Sequence, residues 1–534
     1  MNNFSTLLKN FIRTKLFFFI ILSLVVFLLY GKSINYEFVG PDERILIEQN
    51  IDKLSNIKNI PYFFTTSCYL NKTSMYYRPI LTMSFAIEAS LFGLNTKIYH
   101  FSNIIFFILA IYLMFVLLLK INLDTILTKC ICLLIAVHPV FSSTVVWVPS
   151  RNDTLLAIFI FLSFIFFINY LNKKTLKDLF LCIVFFSISL FTKESVVFFV
   201  FLYLIFPYCF DYKITKKELI KFSLYIILIL IFYFFVRSFA VPSASIKSYF
   251  KNLDQFFITL ICGTSIHLKN LFIPVNITIL LHNISMSFFQ ICFDIFFAFV
   301  LFIILYKKIV NWKILFFSLS WFILSLVPTF FLLKEYVFFN HRLFVAVFSI
   351  VIILILTMDF IIKKYSKYKN YFVLIFVLLF ISFSFISYYI VADKYKNKED
   401  YWALAYEEAP TWHIVSYEIA LIYLENGNYE KYREYMFQAY NLSMGDIHIF
   451  NIIPILIKEG QIDKVKEICF NILKDDEAKL FHKIGANNTL GNIYLEEKNL
   501  SEAYKYLKTA LELDKTDVDL RNKVEKLKEE LNEK

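Results

Sequence analysis

The chain has 534 residues, 59% of them hydrophobic and only 18% charged, with a formal net charge of +11. Soluble domains run near one-quarter charged, so a single soluble globular domain is excluded for most of this length. The basic balance does not point to nucleic acid: the lysines fall between hydrophobic runs, where cytoplasmic loops need them, and no basic stripe or nucleic-acid motif occurs.

The first apolar run, 14–30, follows Lys9, Arg13 and Lys15. It lacks a small-residue cleavage site before Gly31-Lys32, so it reads as a retained anchor with a cytoplasmic N-terminus. Further apolar runs lie near 101–119, 130–147, 154–171, 178–192, 196–210, 221–236, 288–306, 313–333, 343–362 and 371–391. A bilayer core takes about 20 apolar residues as helix, so these amount to about eleven spans. The loops 120–129, 172–177, 211–221, 307–313 and 363–370 are short and carry the lysines, as cytoplasmic loops do. That pattern holds only if 256–284, broken by His267, Lys269, Asn270 and Pro274, is re-entrant or interfacial. Eleven crossings then place the C-terminal part outside the cytoplasm.

Acidic and basic residues that are not topology signals concentrate on the outside segments. The large loop 31–100 opens with Gly40-Pro41-Asp42-Glu43. Adjacent carboxylates near a membrane suit general-base work on a hydroxyl; a solvated acidic turn is the plainer alternative. His138-Pro139 and Trp147 precede Ser150-Arg151-Asn152-Asp153. An Arg and an Asp in so short a connection sit at the interface, either as site residues or as a pair capping a helix. Lys193-Glu194 and His341-Arg342 occupy two other outside turns. Arg342, Arg237 and Lys269 could grip a lipid-linked phosphate; snorkelling anchors are the alternative. The eight cysteines form no CxxC spacing and the eight histidines no HExxH.

From Ala392 the sequence is ordinary and soluble. At 484–517, Leu490, Gly491, Tyr494, Ala503, Leu507 and Ala510 stand at the small and aromatic positions of a tetratricopeptide repeat. Ala420, Tyr423, Gly427 and Ala439 mark an earlier copy around 413–446, Gly460 and Val465 a degenerate one between, and 517–534 a charged capping helix. Three repeats make a small solenoid. Its surface either holds polypeptide or packs against the membrane part.

Tyr76-Tyr77-Arg78-Pro79, Phe92-Gly93-Leu94, Tyr99-His100 and Asn103 resemble the segment after the first lumenal loop of the transmembrane and tetratricopeptide-repeat protein O-mannosyltransferases, members of the wider GT-C glycosyltransferases. His138-Pro139 with Ser150-Arg151-Asn152-Asp153-Thr154-Leu155-Leu156 resembles that family's "HP…GRxDLL", and Thr192-Lys193-Glu194 its "KE" turn. Leu268–Pro274 resembles "YLxxLLxP", and Asn340–Phe344 a late "ER-L-Y", with His341 in the acidic position and Ser150 for the Gly. The resemblance implies an all-α, GT-C-type transmembrane domain at 1–391 and an extracytoplasmic tetratricopeptide-repeat α-solenoid at 392–534. It implies inverting transfer of a hexose such as mannose from a polyprenyl-phosphate donor to a hydroxyl, on protein Ser or Thr held by the repeats. Asp42 would be the base, supported by Glu43. Asp153 with Arg151 would orient substrate, as would Arg78, His138, Lys193 and Glu194. Arg342, Arg237 and Lys269 would stabilise the leaving phosphate. No cofactor is implied beyond the lipid-linked sugar; a divalent metal at Asp42 and Glu43 stays open. The membrane would be a bacterial plasma membrane, or the endoplasmic reticulum in a eukaryote. An oligosaccharide ligase or polymerase of the O-antigen type, a transporter with a docking tail, and a non-catalytic scaffold recruiting partners through the repeats are the alternatives.

Overall fold

The structure, a computed structural model, describes residues 14–71, 74–241, 253–282, 286–331, 337–443, 448–476, 478–514 and 517–532. Lys9 and Arg13, and residues 242–252 and 334–336 of the expected outside loops, lie outside the described residues. The chain is helical, with a single two-residue antiparallel pairing of Leu281–His282 with Val337–Phe338 among the described residues. It divides into two compact units, 1–409 and 410–534.

Within the described residues of unit 1 every expected apolar run is mainly helical, but not every one is long. Among the described residues seven helices are long and apolar enough to cross a membrane: Lys15–Asn35, Thr96–Lys120, Val148–Lys173, Lys216–Ala240, Phe288–Tyr306, Asn340–Lys364 and Ser366–Tyr395. The run 130–147, expected as one span, is broken. Its helix Thr125–Val137 stops at His138-Pro139, and the continuation is bent by 56°. Proline removes the N–H the next turn needs and pushes the residue before it out of the helical region. Leu176–Thr192 and Glu194–Cys209 are shorter than the seven, and Trp312–Phe331 carries Pro328 inside it. The segment expected as re-entrant begins as one continuous helix, Leu253–Phe272, and leaves it before Pro274.

Local chemistry sets these ends. Thr14 Oγ1 accepts from Phe17 N at 3.0 Å, Asp124 Oδ1 from Leu127 N at 2.8 Å, and Thr215 with Glu218 closes a reciprocal capping box. Each satisfies a helix N–H that has no partner one turn back. The Arg151–Lys173 helix is the centre of the unit and is buried along most of its length. Trp321 fills the core beside it, ringed by Phe161, Phe164, Phe199 and Phe348, with its indole N–H on Val345 O at 2.9 Å. By contrast Lys216–Ala240, Phe288–Tyr306 and Lys369–Phe385 leave Leu228, Phe235, Phe296, Phe299, Leu374 and Leu378 bare.

The composition changes at Ala392, but the compact division comes after Ala409. Residues 392–409 pack back on unit 1. Trp402 donates its indole N–H to Val39 O at 2.8 Å, and Tyr395, Tyr401 and Trp402 are buried. Glu408 accepts from Ile279 N at 2.6 Å and Leu280 N at 3.1 Å.

The described residues of unit 2 form three helix pairs and a cap: His413–Glu425 with Tyr429–Leu442, Ile449–Lys458 with Ile462–Lys474, Leu480–Glu496 with Leu500–Leu513, then Val518–Asn532. The first two pairs turn at Gly427 and Gly460, whose φ of 72° and 74° suit glycine. The third turns at Lys498 with φ 59°. Gly491 is required by close approach: a Cβ there would lie 2.5 Å from Leu507 Cγ.

Candidate functional site

The loop after the first span folds into short helices. The second of its helical pieces, Pro41–Leu46, starts with proline at its first position and places Asp42 and Glu43 in its first turn. The two carboxylates face different surroundings. Glu43 is 1% exposed. Its Oε2 accepts from Gly40 N and from Trp147 Nε1, both at 3.1 Å. Residue 40 must be small, because a Cβ there would lie 2.9 Å from Glu43 Oε2 and 3.1 Å from Trp147 Nε1. Burial pushes the Glu43 carboxyl up to about 8, with the Asp42 charge adding to the rise against its hydrogen bonds. Asp42 is partly exposed and its Oδ1 accepts from Tyr69 OH at 3.0 Å. Burial raises its carboxyl too, opposed by the Tyr69 hydrogen bond and by the charges of Arg78 and Arg342.

Arg78 directly precedes the Pro79–Phe92 helix and binds Glu194, Nε to Oε2, at 3.2 Å. Glu194 Oε1 also accepts from Tyr77 N at 2.6 Å. Burial works against the Arg78 charge, but Glu194 together with Cys68, Tyr76 and Tyr69 outweighs it and holds the guanidinium above its usual range. Lys193 turns the other way, its Nζ 2.6 Å from Asp153 Oδ1. Burial lowers the Lys193 ammonium, and Asp153 restores part of the loss. Asp153 Oδ2 lies 3.8 Å from His341 Nε2 and has no hydrogen-bond partner although it is buried. Arg342, next to His341, is close enough to Asp42 and Asp153 to interact with both charges, and its Nη1 is likewise buried without a partner. A buried donor and a buried acceptor left open within one charged cluster are costly unless something fills them. His341 sits against Trp147 and Phe339, which stack with ring centroids 5.6 Å apart.

Thus Asp42, Arg78, Asp153, Lys193, Glu194, His341 and Arg342, far apart in sequence, come together. Arg237 reaches the edge of the cluster, Nη2 donating to Met75 O at 3.1 Å. Three expected residues stand elsewhere. Arg151 does not orient a ligand with Asp153. It is 0% exposed, and binds Glu88 Oε2 at 2.7 Å, Asn103 Oδ1 at 2.7 Å and Tyr99 O at 2.8 Å. Two residues apart on one helix, and so about 200° round it, 151 and 153 point to different sides, and Arg151 ties the helices Pro79–Phe92 and Thr96–Lys120 together. His138 is also internal: its Nε2 meets Leu271 O at 2.9 Å and its ring packs on Phe383. Lys269 has no contact with the cluster among the described interactions. His267, two residues earlier and so on another side of the same helix, is the one close enough to Arg342 to feel its charge. Tyr69 and Glu88 were not among the expected residues. A lone carboxylate in the apolar helix Pro79–Phe92 is the signal that marks Glu88; Tyr69 carries none. Among the described residues no three His, Cys, Asp or Glu side chains converge on a metal-sized point.

In unit 2 the tetratricopeptide-repeat family matches residues 484–517, which take in most of the helix pair Leu480–Glu496 and Leu500–Leu513. Stacked repeats of this kind present surfaces suited to protein partners. No curated protein and no solved structure matches the chain.

Proposed function

We propose that unit 1 lies in a membrane and transfers a hexose, with mannose first in line, from a polyprenyl-phosphate carrier to a hydroxyl, on the pattern of the GT-C glycosyltransferases. The bare apolar helices support the membrane reading, since faces that large need an apolar solvent. The observation that carries the chemistry is the charged cluster with Asp153 Oδ2 and Arg342 Nη1 both open.

Asp42 takes the proton of the acceptor hydroxyl. Its raised carboxyl pKa brings it nearer neutral pH, where a general base works best. The acceptor oxygen bonds to the anomeric carbon from the face opposite the phosphate as the bond from that carbon to the phosphate oxygen breaks. The anomeric centre inverts and the polyprenyl phosphate leaves with the electron pair. Arg342 takes up the charge that develops there, with Arg78 and Arg237 at the edge. Glu43, neutral near pH 7, fixes the helix that carries Asp42. Asp153, held by Lys193, offers its open oxygen to a sugar hydroxyl. The repeats would present the polypeptide acceptor.

The test is label transfer from polyprenyl-phosphate-linked radiolabelled mannose into protein, in membranes carrying the wild-type chain or Asp42→Asn. Loss of a base costs about 10²–10⁴-fold, so label in the wild type alone is expected. Equal transfer by the two chains rejects Asp42 as the base.

The repeat match favours a second reading, a non-catalytic scaffold that recruits protein partners. It predicts no transfer with any lipid-linked donor, and binding of partners that survives Asp42→Asn.

A further inference from the structure

The central helix has two ends. Asp153 is in its first turn and Lys173 in its last. At about 1.5 Å of rise per residue along this helix, Asp153 and Lys173 are separated by roughly 30 Å, about the depth of a bilayer core. A second polar feature lies at the Lys173 end. There a cavity of about 620 Å³ is lined by Lys120, Asn122, Asn172, Asp211, Tyr212 and Lys213, with Ile121, Leu171 and Phe210 as its apolar wall.

Cations outnumber free anions around it. Asp211 is held by Lys313 at 2.7 Å and Glu218 by Lys174 at 3.2 Å. Asp178 accepts from the Thr175 hydroxyl and remains one anion against Lys15, Lys120, Lys173 and Lys213. Lys15 and Lys173 stand close enough to Lys120 to add to one positive field, and Lys213 is exposed at the mouth. The amides of Asn122 and Asn172 line the cavity as further polar groups, while the Tyr212 hydroxyl donates to Lys120 O at 3.5 Å. Just beyond the lining residues in sequence, Ile126, Leu176, Tyr208 and Ile220 leave large apolar surface bare. A polar, net-positive cavity opening beside apolar surface has the two-part character of a phospholipid: a phosphate in the cavity and acyl chains along the helices.

We infer that this cavity binds the phosphate headgroup of an anionic glycerophospholipid, on the membrane face opposite the charged cluster. The inference rests on the membrane reading of unit 1 and not on the transfer reaction. Lys120 and Lys213 grip the phosphate, and the Asn amides reach the glycerol hydroxyls.

The experiment uses the full-length chain in detergent, with phosphatidylglycerol, phosphatidylcholine or inorganic phosphate added, read by native mass spectrometry. The wild type is expected to retain one phosphatidylglycerol, at least tenfold in preference to phosphatidylcholine. Lys120→Gln with Lys213→Gln abolishes the preference. Lys213→Glu, at an exposed position, does so without touching a buried group. Equal retention of phosphatidylcholine overturns the inference, and so does an unchanged preference in both variants. Displacement by millimolar inorganic phosphate assigns the cavity to the free ion and overturns the lipid. Carbonate extraction of native membranes keeps the two readings apart: a released chain refutes the membrane reading, while a retained chain without lipid preference refutes only the headgroup site.

Discussion

Glu43→Gln gives a prediction whose magnitude follows from the structure. The carboxyl is fully enclosed and rises from 4.5 to about 8. The folded pKa lies above the unfolded one, so the native state binds the extra proton and stability falls as pH climbs through that window. Below 4.5 both states are protonated and nothing is lost. At pH 7 the folding chain must take up a proton, at a cost of about 3 kcal/mol; above 8 the cost levels off near 5 kcal/mol. Glutamine keeps the shape, accepts the same bonds from Gly40 and Trp147 through its amide oxygen, and carries no charge to neutralise. The variant should therefore match wild type near pH 4.5 and melt higher at pH 7, by roughly 5 °C, with a wider gap at pH 9. Thermal melting of the detergent-solubilised chain at three pH values measures it. A gap that does not change with pH, or a variant less stable than wild type at pH 9, refutes the assignment of a protonated Glu43. Transfer activity at pH 7 should survive, since the group is neutral there in both proteins.

Arg151→Met strands Glu88 in the core and should cost about 3–5 kcal/mol, seen as lost yield and a lower melting temperature; adding Glu88→Leu should recover most of it. Gly491→Ala drives a methyl into Leu507 and should cost about 1–3 kcal/mol, read as faster hydrogen exchange of the tail amides in the full chain. Lys498→Gly relieves the left-handed turn of the third repeat and should slow that exchange, by about 1 kcal/mol.

Much of the fold was legible in the sequence because two periodic signals dominate it. Long apolar runs bounded by lysines mark the helices of unit 1, and small residues at repeat spacing mark unit 2. The break at His138-Pro139 was missed because the run on either side stays apolar, and only the proline's missing N–H interrupts it. The site was half legible. The turns carrying Asp42, Lys193 and Arg342 stand out as charges outside apolar runs. Their partners do not: Lys193 and Glu194 are neighbours in sequence yet reach Asp153 and Arg78 on opposite sides, and such long-range pairing has no local signature. Arg151 and Asp153 misled for the reverse reason. Two residues apart on a helix, they cannot face one ligand from one side.

The packing of residues 392–409 determines where the two units can be separated. A truncation placed at the composition change, ending at Val391, would strip Trp402 from Val39 and Glu408 from Ile279 and Leu280. It would leave apolar surface and backbone N–H groups uncovered close to the Asp42 helix, and an inactive product would be blamed on the missing repeats. Ending the chain at Ala409 removes the repeats and keeps that cover, so the two truncations together separate damage to unit 1 from loss of the tail.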